Sequence, residues 1–148
     1  MNVSLHKEAL ESEEKLEEFL DVFFRRALPK AEWTHAAHVT LAASLLYDAD
    51  VKTVLPRVRQ AIRSHNEAVG TENSDSSGYH ETLTIFWLRV VADKLKEEMA
   101  ASRVDAVRSA VAAYGEERAL HTLYYSTDVV KDCVARREWV EPDLRLLP

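Results

Sequence analysis

The chain has 148 residues, with 19 Lys and Arg against 25 Asp and Glu, and a net charge of −6. That length suits one domain over residues 1–148 with its own hydrophobic core, and the acidic excess argues against a nucleic-acid or membrane-surface partner. The one cysteine, Cys133, excludes an internal disulfide and a cysteine-based zinc knuckle, and no apolar run nears the ~20 residues needed to cross a bilayer.

The polar, acid-rich start is unlike a signal peptide, so the expected compartment is the cytoplasm. Leu16, Phe19, Leu20, Phe23 and Leu28 recur at helical spacing and predict a helix from about Ser12 to Leu28. Its first half is rich in glutamate, Arg25 and Arg26 fill its last turn, and Pro29 ends it. The acidic run itself is expected to be a solvated face. Thr34 is a good N-cap for a second helix running to about Tyr47, with Trp33 packed just before it.

A third helix is expected from near Thr53, where Pro56 would fall in the first turn. Its periodic face carries Val54, Leu55, Val58, Ile62, His65 and Val69. Residues 70–78, Gly-Thr-Glu-Asn-Ser-Asp-Ser-Ser-Gly, have the composition of a loop. That loop is read as a surface connector, with a lid or an anion-binding turn as alternatives. A helix from about Tyr79 to Met99 follows, then one capped by Ser102 and closed at Gly115. Shorter helices are expected over about 117–124 and 127–137, the second burying Cys133 as an inert thiol. The end, from Trp139, is expected to be extended and tied down. The fold predicted is all-α, a compact bundle of five or more helices with an extended C-terminal tail.

Four of the six histidines lie near the ends of the predicted helices. His35 and His38 share one helix face, His65 lies in a last turn, and His80 lies in a first turn beside Glu81. Short links between successive helices favour antiparallel neighbours, which would bring these four to one pole of the bundle. A neutral imidazole is a common ligand of zinc, iron, nickel and copper. His35, His38 and His80 are therefore the expected ligands of a divalent transition metal, with Glu81 as fourth ligand or general base. The bland reading is that each histidine meets a carbonyl at a helix end, and His65 is assigned to it. His6 and His121 are taken as surface or packing residues.

Phe86, Trp87 and Trp139 are read as core, or as walls of a small apolar pocket above the histidines. A zinc-protease His-Glu-x-x-His pattern, a nucleophile elbow and a Gly-rich phosphate loop are all missing from the sequence. Two readings of function result. One is a metal-binding protein, in its enzymatic form a small metal-dependent enzyme acting on a small-molecule substrate through the histidine cluster. The other is a non-enzymatic module that binds a small ligand or a protein partner, its histidines being structural.

Trp33-Thr34-His35-Ala36-Ala37-His38, Tyr79-His80-Glu81-Thr82 and the end Trp139-Val140-Glu141-Pro142-Asp143-Leu144 resemble motifs of a group of small bacterial helical proteins. The resemblance implies a family and no activity. His80-Glu81 also invites comparison with the His-Asp pair of HD-domain metal hydrolases, but no final Asp ligand follows it.

Overall fold

A computed structural model describes residues 4–148, and every regular element among them is helical. The elements are α1 (Leu5–Ala9), α2 (Glu13–Phe24), α3 (His35–Leu46), α4 (Val51–Ala68), α5 (Glu81–Glu97), α6 (Arg103–Tyr114) and α7 (Cys133–Arg137). Short 3-10 turns occupy Lys30–Glu32 and Leu120–Leu123. No helix is long and apolar enough to cross a membrane among the described residues.

The middle of the bundle is α3. Nine of its twelve residues are buried, from Ala37 and Val39 to Leu46, so it has no polar face to turn to solvent. Its buried hydroxyls close on its own backbone, Thr40 Oγ1 on Ala36 O and Ser44 Oγ on Thr40 O. α6, α5, α4 and α1 pack around it. The outer helices are amphipathic instead: Leu16, Phe19, Leu20 and Phe23 form the inner stripe of α2, and Val54, Val58, Ile62 and His65 that of α4.

α5 serves two cores. Leu88 and Val91 join the main cluster built on α2, α3, α4 and α6. Phe86 and Val90, on the opposite side of the same helix, join a smaller cluster with Tyr125, Val129 and Ala135. The side of α5 between these faces borders the cavity described below.

Capping fixes most starts. Ser12, Thr34, Asp50, Ser102 and Asp132 each accept a backbone N–H of the turn they open. The Asp50 cap moves the start of α4 to Val51, so Pro56 is its sixth residue and not part of the first turn. Pro56 is exposed, leaving the unpaired Lys52 carbonyl on the solvent side. α2 is shorter than its apolar stripe suggests. It ends at Phe24 because Arg26 takes a left-handed φ of 61°, with Ala27 N–H bonded to Val22 O and Arg26 N–H to Phe23 O. This is a Schellman closure with arginine where glycine is usual. Leu28 is still buried, but it belongs to the connector.

Other expectations change in detail. Leu5–Ala9 is helical, which its composition did not suggest. The acidic run is not simply solvated, because Glu13 and Glu17 both pair with Arg103 of α6. The expected helix over 117–124 is a single 3-10 turn, and that over 127–137 contracts to α7. Cys133 is the exposed first residue of α7, and only Ala135 of that helix is buried.

The tail is held as expected. Buried Thr82 donates to Glu138 O at 2.8 Å and accepts from Val140 N at 3.1 Å. Tyr125 Oη donates to Val140 O at 2.7 Å, and Leu144 N donates to Tyr124 O.

Candidate functional site

The end of the bundle where α3 and α5 begin and α4 finishes encloses a cavity of about 580 Å3. α3 contributes His35, His38 and Leu41; α4 contributes Ile62, His65 and Asn66; α5 and its cap contribute His80, Leu83 and Trp87. The far wall comes from Arg118 and His121, and from Val130 and Arg136. Five of the six histidines border this one space, His121 among them, which sequence reasoning set aside.

A backbone carbonyl only accepts, so a ring nitrogen bonded to one carries the proton. His35 Nε2 donates to Tyr114 O at 3.0 Å, leaving Nδ1 as the acceptor. His38 Nδ1 donates to Thr34 O at 2.7 Å, leaving Nε2. His65 Nε2 donates to Leu28 O at 3.1 Å, and its Nδ1 is buried with no partner. His121 Nδ1 is likewise buried and unpartnered.

His80 differs from the others. Its Nε2 donates to Val129 O at 2.7 Å while its Nδ1 accepts Leu83 N–H at 3.1 Å. The ring is the N-cap of α5, and both nitrogens are engaged. To ligate a metal it would have to release the Leu83 amide. His35, His38 and His80 thus share a cavity, but no three His, Cys, Asp or Glu side chains among the described residues are grouped to hold one ion.

Glu81 is not part of the cavity lining. Its carboxylate takes both Arg59 Nε at 3.1 Å and Nη2 at 2.8 Å, and Tyr79 Oη donates to it at 2.6 Å. Burial alone would raise its pKa, but these hydrogen bonds and the Arg59 charge outweigh it and hold the group below the usual carboxylate range. Glu81 ties α4 to the start of α5.

The cavity histidines are all shifted toward the neutral form, with burial the largest cause in each. His38 is pulled furthest, to about 4, because protein encloses it and the charges of His35, His65 and Arg118 oppose a proton, although the Thr34 carbonyl favours one. Its ring keeps partial exposure only because it faces the open cavity. Aromatic packing fixes it: Trp33 stacks on His38 with centroids 3.6 Å apart, and on Phe23 at 4.6 Å. Trp87 meets His35 edge-on at 4.5 Å.

No Asp or Glu lines the cavity, whereas Lys30, Arg118 and Arg136 do. Arg136 is held by donating to Gly78 O at 2.8 Å and Val130 O at 3.0 Å. The 70–78 loop is anchored at Asn73. Asn73 Oδ1 accepts from Asn66 Nδ2 and Tyr79 N, and its Nδ2 donates to Arg63 O. Gly78 has φ 77°, and a Cβ there would lie 2.5 Å from Glu72 O.

No protein-family model, curated protein or solved structure matches the chain.

Proposed function

We propose that the protein binds a small organic molecule in the histidine-walled cavity. The observation that carries this reading is convergence: five imidazoles from four separate segments of the chain, with Trp33 and Trp87, border a single space of about 580 Å3. That volume is in the range of sites for small molecules, and an apolar wall with a few polar groups of fixed direction is their usual construction. His35 and His38 act as oriented hydrogen-bonding groups, each fixed in tautomer by a backbone carbonyl. Glu81 has no part in the proposal, being paired with Arg59.

A thermal-shift screen of small organic molecules tests it, with Thr84→Trp as a variant that fills the cavity from α5. Compounds that stabilise the wild type and fail to stabilise a folded Thr84→Trp protein are the expected result. Stabilisers that act equally on both proteins bind elsewhere and would overturn the assignment.

A second reading, binding of a zinc, iron, nickel or copper ion, is favoured by one observation. His35 Nδ1 and His38 Nε2 remain free as lone-pair donors on adjoining turns of α3. In this reading solvent or an organic ligand would complete the coordination. Zinc titration followed by calorimetry, with the His35→Ala/His38→Ala protein as control, decides it. Binding that survives the double variant removes the reading.

A further inference from the structure

Resting on the small-molecule reading above, we propose that the ligand is a small organic anion with a flat apolar body and one O–H or N–H donor. Its charged head lies beside Arg118, its body lies against the tryptophan walls, and its donor meets an imidazole lone pair.

The charge of the cavity is opposite in sign to that of the molecule. The chain as a whole carries −6, yet the lining holds Lys30, Arg118 and Arg136 and no carboxylate. Arg136 is drawn away by the backbone carbonyls that its Nη1 and Nη2 bond. Arg118 forms no salt bridge among the described residues, and its charge is felt by both His35 and His38. A guanidinium without a carboxylate, set at the border of the cavity, attracts an anion and can meet a carboxylate or phosphate with two parallel hydrogen bonds.

The apolar and donor requirements come from the rest of the wall. Trp33 and Trp87 offer flat surfaces beside Leu41, Ile62 and Leu83. The imidazoles accept at His35 Nδ1 and His38 Nε2, because their other nitrogens carry the proton. His65 Nδ1, buried with no accessible surface, is left out of this contact.

Calorimetry with a hydroxynaphthoate, its uncharged hydroxynaphthamide and a hydroxynaphthyl phosphate tests the assignment. The wild type should bind one of the two anions at least about tenfold more tightly than the amide; which anion binds better identifies the head group. Arg118→Gln, a change at an exposed position, should erase that preference by weakening the anions far more than the amide. Equal affinity for charged and uncharged compounds, or a preference that survives Arg118→Gln, overturns the anion inference and leaves the small-molecule reading standing. Failure of all three compounds to bind overturns this inference, while the broader screen with Thr84→Trp still judges the cavity reading by itself.

Discussion

Replacing His80 by alanine separates a structural imidazole from a metal ligand. The ring does two things at once. It caps α5 by accepting Leu83 N–H, and it satisfies the Val129 carbonyl 49 residues away. Loss of an N-cap costs about 1 kcal/mol. The Val129 carbonyl keeps a second donor, Asp132 N–H at 3.2 Å, so losing the imidazole N–H costs about 1 kcal/mol more, the worth of an ordinary hydrogen bond. The residue is 8% exposed, so water replaces that bond poorly. The expected loss for His80→Ala is therefore about 2 kcal/mol. Asparagine caps well but does not reach as far, so His80→Asn should retain the cap and lose about 1 kcal/mol. Urea denaturation at pH 7.5 in the presence of a chelator measures both, read from the midpoint with the slope unchanged. A loss below about 0.5 kcal/mol for His80→Ala, or a loss that appears only when zinc is supplied, would falsify the assignment of His80 as a cap.

Two further outcomes are expected. His38 is neutral in the fold, so its contribution is present above its unfolded pKa of about 6.5 and is lost as pH falls toward its folded value of about 4. Lowering the pH from 7.5 to 5 should cost at most about 2 kcal/mol through this group, less as water in the cavity screens it. Urea midpoints should show His38→Gln losing less stability than the wild type over that interval, and parallel pH profiles would refute the reasoning. Arg26→Gly should raise stability by about 0.5–1 kcal/mol, because glycine takes the left-handed φ of 61° without the penalty paid by a residue with a Cβ; a fall in melting temperature would count against it.

The main helices were legible because a buried face leaves a 3.6-residue rhythm, and because Thr34 and Ser102 are strong caps. The Asp50 cap was equally visible, but Pro56 drew attention to a later start. The end of α2 was hidden. Leu28 continues the apolar rhythm through a Schellman turn that arginine rarely makes, and only the coordinates distinguish a buried connector residue from a buried helical one.

Antiparallel packing of α3, α4 and α5 was enough to anticipate that His35, His38, His65 and His80 face one space. The direction of each ring was not legible, since it depends on carbonyls at residues 28, 114 and 129 that no local pattern marks. His121 lies on a 3-10 turn with no periodicity to announce it. The guanidinium of Arg118 borders the cavity only because the chain returns across the mouth after α6.

The rivets of this chamber join distant stretches of polymer. His35 reaches 79 residues ahead to Tyr114, His80 reaches 49 ahead to Val129, and His65 reaches 37 back to Leu28. A growing chain therefore has no finished chamber until its last quarter has emerged, and contacts of such long range form slowly. A fragment stopped before residue 129 would keep most of the larger core but lack the oxygen that receives His80 and the tail atoms that bond Thr82, leaving the Arg59–Glu81 pair to hold the first turn of α5.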